Sequence, residues 1–154
     1  MLENLKFTAE ELSVMSFFES MTSVSPLDCI IQDNTVLLVV KNEDFNTLIR
    51  TASSMQRRSK GVLRGLLEEL EKVVRKRITI VKYYSTPEQF LKSFFSLKQG
   101  EEIKLIKKPD GSSYAIIYVN PRRKGAVIGK NGYKAKQARM LAKKYFGLQT
   151  ILIK

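Results

Sequence analysis

The sequence predicts an α+β protein of two tandem units, each a three-stranded sheet with helices packed on one face. Three observations carry this expectation. The element order helix–strand–strand–helix–helix–strand can be read twice, over residues 1–84 and again over 85–154. Val36–Ile49 (VLLVVKNEDFNTLI) aligns without a gap to Ala115–Ile128 (AIIYVNPRRKGAVI), and a duplicated unit explains that better than coincidence. Turn signals also recur at matching points, Asp33-Asn34 in the first unit and Pro109-Asp110-Gly111 in the second.

The first unit opens with a well-marked helix start. Thr8 can cap, Glu11 can reach back in a capping box, and Phe7 can pack on Leu12 as a staple. Val14, Phe17, Phe18 and Met21 follow at the spacing of a buried helical stripe, and Ser25-Pro26 ends the helix. The β-rich runs LDCIIQ and TVLLVVK flank Asp33-Asn34 as a hairpin. A short segment from Asp44 to about Ala52 leads to a long helical pattern. Its apolar face is Val62, Leu63, Leu66, Leu67, Leu70, Val73 and Val74, and RITIVKYY closes the unit as a strand. The extra residues of this half are expected to lengthen that second helix.

The second unit repeats this grammar. Thr86 is the cap, Pro87 the first helical residue and Gln89 the capping-box position. Phe90, Leu91, Phe94 and Phe95 supply the stripe; EIKLIKK and SSYAIIYVN form the hairpin. A short segment from Pro121 to Ile128, a glycine turn, a helix to about Phe146 and the strand LQTILIK complete it.

Charge separates the halves. Met1–Tyr84 holds 12 basic and 11 acidic residues, whereas Ser85–Lys154 holds 15 basic and 4 acidic, within a chain of net charge +12. Between Asn120 and Gly147 stand nine lysines and arginines and no acid, surrounding GKNG at Gly129–Gly132. A solvated helix face usually mixes signs, because opposite charges at i,i+4 support a helix and like charges oppose it. The segment therefore points to an external polyanion.

The turn has the chemistry for it. Gly129 and Gly132 lack Cβ atoms, so a sugar-phosphate backbone can come close. Gly132 stands at a helix start, where free N–H groups and the dipole favour phosphate. Lys130 adds a mobile cation and Asn131 a donor, while Arg122, Arg123, Lys124 and Lys134 are the flanking phosphate contacts. Ile128 is the apolar floor for bases, and Val127 packs. In the following helix, Ala135, Ala138, Leu141, Ala142 and Tyr145 form the packed face. A tight helix–helix connection and a solvated loop are the plainer readings of the same residues, but the density of cations favours binding.

A VIGKNG turn between two helices in the order αββααβ resembles the type II KH domain, and the tandem pair resembles the archaeal NusA-like transcription factors. The resemblance spans nearly the whole chain. It implies a single-stranded RNA-binding protein in transcription elongation or termination, with RNA polymerase or other transcription components as partners. RTAS (Arg50–Ser53) stands where GKNG would be and lacks both glycines, so the first unit carries a degenerate loop. That unit could instead serve as a protein-docking module, and Arg57, Arg58 and Lys60 could extend the basic track across it. The alternative within the KH fold is a ribosome-associated or ribosome-assembly protein.

Other classes fit poorly. The chain has no histidine and one cysteine, Cys29, and shows no Walker or paired-carboxylate pattern, so an enzyme is not expected. Neither a cofactor, a metal nor a small-molecule substrate is expected. Cys29 in LDCII reads as a buried thiol, and no disulfide can form within the chain. No membrane-length apolar run or signal peptide is present, which makes a cytoplasmic location the expectation.

Overall fold

The computed structural model describes residues 5–54 and 62–154, an α+β architecture of two compact units, one ending at Tyr83 and the next beginning at Tyr84. The first unit runs α1 (Ala9–Thr22), β1 (Asp28–Gln32), β2 (Thr35–Lys41), α2 (Phe45–Ser54), α3 (Val62–Val74) and β3 (Arg77–Tyr83). The second runs α4 (Pro87–Phe94), β4 (Glu102–Lys107), β5 (Ser113–Tyr118), α5 (Lys124–Ile128), α6 (Tyr133–Phe146) and β6 (Leu148–Ile153). Each has a three-stranded sheet with its second strand central, β1-β2-β3 and β4-β5-β6. In both, the hairpin pair is antiparallel and the last strand joins parallel, after a crossover through two helices.

Local chemistry sets the helix starts. The Thr8 hydroxyl accepts from the Glu11 N–H at 3.1 Å, and Glu11 Oε1 accepts from the Thr8 N–H at 3.0 Å, closing the capping box. Leu12 stays 51% exposed, so the expected staple buries little of it. At α4, the Gln89 N–H donates to Thr86 Oγ1 at 3.3 Å and Pro87 sits in the first turn, where its missing N–H costs nothing. Both hairpins turn where expected: Gln32 pairs with Thr35 across Asp33-Asn34, and Lys107 with Ser113 across the Pro109-Asp110-Gly111 loop.

The cores follow the predicted stripes. In the first unit Val36, Leu38 and Val40 of β2 join Phe18, Leu48, Leu66, Leu70 and Ile78, with Cys29 buried beside them. Val73 departs from its expected place and is 58% exposed. The stripe of α3 runs through Leu66, Leu67, Leu70 and Val74, and the 3.6-residue period puts Val73 at its edge. In the second unit Phe90 and Tyr145 meet edge to face at 5.9 Å, above buried Ala115, Ile117, Ala138, Leu141, Ala142 and Ile151.

The expected lengthening of the second helix of the first unit falls on residues 55–61, which lie outside the described residues. That helix, α3, has 13 residues against 14 in α6. Among the described residues, α2 has 10 residues against 5 in α5. Among the described residues, no helix is long and apolar enough to cross a membrane.

Candidate nucleic-acid interface

The second unit builds its basic turn on a fixed approach. After β5, the Asn120 N–H donates to Glu101 Oε2 at 2.9 Å, and Asn120 Oδ1 accepts from the Arg122 N–H at 3.0 Å. Glu101 is buried and also accepts from the Lys98 N–H at 2.7 Å. The Arg123 guanidinium pairs with this carboxylate and donates to the Ser96 carbonyl at 3.2 Å. The Lys98 N–H above all, then the Asn120 N–H and the Arg123 charge, hold the Glu101 carboxyl below its ordinary range against the opposing effect of burial.

From there α5 carries Val127 inward, 1% exposed, and leaves Ile128 half-buried beside the turn. Gly129 ends the helix at φ 83°, ψ 165°, a region that is essentially glycine-only. A Cβ there would lie 2.9 Å from both the N and the Cβ of Lys134, so Gly129 is required by the fold of the turn itself. Asn131 (φ 57°) and Gly132 (φ 72°) then take two successive left-handed steps. A Cβ on Gly132 would meet nothing nearer than the Lys136 Cε at 3.9 Å, which leaves that position open to a visitor.

The 14-residue helix α6 starts at Tyr133 with no side chain capping it, although the Tyr133 N–H itself donates to the Lys130 carbonyl. Lys130, Asn131 and Lys136 are exposed around it. Lys134 is half-buried; desolvation first, then the Arg123 charge, lower its ammonium pKa below the ordinary lysine range. An anion seated here would relieve that repulsion.

Ile128, Gly129, Lys130, Asn131, Gly132 and Lys134 thus form one contiguous feature, with Arg122 and Lys124 exposed at its entrance. Arg123 differs from the expectation of a free phosphate contact, because its guanidinium is held by Glu101 and Ser96. Sequence reasoning missed Glu101. It lies 22 residues before Arg123, and nothing in either local pattern signals a pairing across that distance.

At the matching register, the described residues of the first unit lack the feature. Arg50–Ser53 continues α2 instead of forming a loop, and the Thr51 hydroxyl donates back to the Thr47 carbonyl at 3.0 Å. Arg57, Arg58 and Lys60 lie outside the described residues.

No protein-family model matches the chain. It is 23% identical to a Methanocaldococcus jannaschii protein named probable transcription termination protein NusA, over 99% of this chain and 76% of that one. Proteins of the same name from Methanococcus vannielii and Halococcus morrhuae are 24% and 23% identical, covering 97% and 89% of this chain and 79% and 89% of their own. The crystal structure of APE1850 superposes with a TM-score of 0.74 at 30% identity, covering 96% of this chain and 100% of that one.

Proposed function

From the premise that this chain is a homologue of archaeal proteins named probable transcription termination protein NusA, we propose that it binds single-stranded RNA and acts in transcription termination. In this reading residues 1–84 and 85–154 are tandem type II KH domains, and the GKNG turn of the second clamps the RNA backbone. The observation that carries it is the open turn Gly129–Gly132 feeding an uncapped helix start, inside a segment with nine cations and no acid. Phosphates meet the N–H groups, Lys130 and Lys134. Bases of about four nucleotides turn toward the apolar surface at Ile128.

We read the protein as a binder and not as an enzyme, because a chain without histidine and with one cysteine offers little for acid–base or nucleophilic work. The relatives' name favours transcription over ribosome assembly and makes RNA polymerase or another transcription component the expected partner class, in the cytoplasm.

A salt titration with a short single-stranded RNA tests the clamp. Arg122, Lys124, Lys130 and Lys134 are the free contacts once Arg123 is held by Glu101. At about −0.7 per phosphate, log K should fall against log[salt] with a slope near −2.8. A slope of zero would end the electrostatic reading, and equal competition by duplex RNA would reduce the clamp to an unspecific basic patch.

A further inference from the structure

Strand alternation sends Ala115 and Ile117 of β5 into the helical core and Tyr114, Ile116 and Tyr118 to the opposite sheet face. Both tyrosines are half-buried there. Lys104 Nζ stands 5.6 Å from the Tyr118 ring centroid, and Lys108 Nζ stands 5.3 Å from that of Tyr114. On β6, Leu152 pairs with Ile116 and is 40% exposed. The duplication supplies a contrast. Leu37 and Val39 occupy the register of Ile116 and Tyr118 in the first unit; Leu37 and Ile116 are both buried, at 2% and 9%, but Val39 is 0% exposed where Tyr118 is half-buried. The first unit buries an aliphatic residue where the second leaves a tyrosine ring half-buried, beside a buried isoleucine and exposed lysines.

We infer that this face of the second sheet is a base-stacking platform for single-stranded RNA, separate from the GKNG turn. It rests on the RNA-binding reading above. The occupant follows from chemistry. Two tyrosines four residues apart on one strand are about 13 Å apart, a spacing that suits non-adjacent bases of one extended strand. Sheet aromatics stack two or three bases in other RNA-binding modules, and stacking tolerates any base. The lysines provide the matching phosphate contacts. An exposed cation–π contact is weak, so a base can take the ring face while the ammonium moves to a phosphate. Glu102, opposite Tyr118, is the acid on this face, against Lys104 and Lys108. A polyanion carrying planar groups fits better than an acidic peptide, which would leave the ring faces unused.

The test compares a tetranucleotide with a single strand several times longer, binding to the full chain. Wild type should hold the longer strand more tightly. Tyr114→Leu/Tyr118→Leu, which keeps apolar cover on the sheet, should weaken the longer strand about fivefold or more and leave the tetranucleotide within about twofold. Lys130→Asp/Asn131→Asp should weaken both, so a failure of the clamp and a failure of the platform give different patterns. Crosslinking of wild type to RNA carrying a photoactivatable uridine analogue, expected to label Ser113–Tyr118, decides the matter even where the tyrosine variant folds poorly. Equal affinity of wild type for both lengths, an unchanged tyrosine variant, or labelling confined to the turn would overturn the proposal and leave the face to a protein partner.

Discussion

Arg50–Ser53 and Gly129–Gly132 occupy the same register of the duplicated unit, yet the first continues helix α2 and the second breaks the path between α5 and α6. The preceding residues align without a gap, so the surrounding fold does not impose the break. The residues of the turn do. Gly129 takes a backbone conformation that side chains avoid, and Lys134 stands where its Cβ would be. Arg, Thr, Ala and Ser have no such freedom and no need of it, and the chain keeps its helix. The geometry of the turn thus depends on Gly129, while the αββααβ frame tolerates either outcome.

The strongest way to break this comparison is Gly129→Ala. The forbidden backbone region and the contact at 2.9 Å together should cost on the order of 3 kcal/mol in a denaturant titration. Arg50→Ala, its counterpart in an exposed helical position, should stay within about 0.5 kcal/mol. Similar losses at both sites would mean that the turn relaxes around a side chain.

Grafting the turn into the first unit sharpens the point. Arg50→Gly, Thr51→Lys, Ala52→Asn and Ser53→Gly together put two glycines inside α2, at about 1 kcal/mol each. A loss near 2 kcal/mol without any gain in RNA affinity is expected. A gain would show that the loop sequence alone builds a clamp.

Charge reversal separates binding from folding. Lys130→Asp/Asn131→Asp keeps both glycines and should move the melting midpoint little, within roughly 0.5 kcal/mol of stability. RNA affinity should drop at least tenfold, about 1.4 kcal/mol, because two carboxylates meet the phosphate. Thr51→Asp/Ala52→Asp should leave RNA affinity nearly intact while disturbing the Thr51–Thr47 hydrogen bond. Equal loss of binding in the two variants, with normal melting, would refute the assignment of the second unit as the working clamp.

What was legible in the sequence was the periodic and the local. Caps at Thr8 and Thr86, the two hairpins, the glycine turn and the packed face of α6 rest on residues within a few positions of one another. What was not legible depends on distance. RTAS reads as a lapsed loop in an alignment, but only three dimensions show it as helix. The capture of Arg123 by Glu101 depends on segments 22 residues apart being brought together, and the half-burial of Lys134 on how the turn packs. Counting cations placed Arg123 with its exposed neighbours, although its guanidinium is held by Glu101 and Ser96.

The two neighbouring arginines give the finest test, since charge alone cannot distinguish them. Arg122→Gln removes an exposed cation and should reduce the salt slope of RNA binding by about 0.7, with melting unchanged. Arg123→Gln should leave the slope where it was and lower the melting temperature, because a buried carboxylate loses its cation. Glu101→Gln then checks the cause through pH. The folded-state pKa of Glu101 is lowered, so its stabilisation is present above the ordinary value near 4.5 and is lost as pH falls through the lowered value. Wild type should therefore outmelt Glu101→Gln at pH 7 and lose that advantage progressively as the solution is taken below about pH 4.5. If the two curves run parallel across that range, the Glu101 carboxylate does not anchor the loop. Arg123 would then return to the set of free phosphate contacts, and the expected salt slope would steepen by the same 0.7.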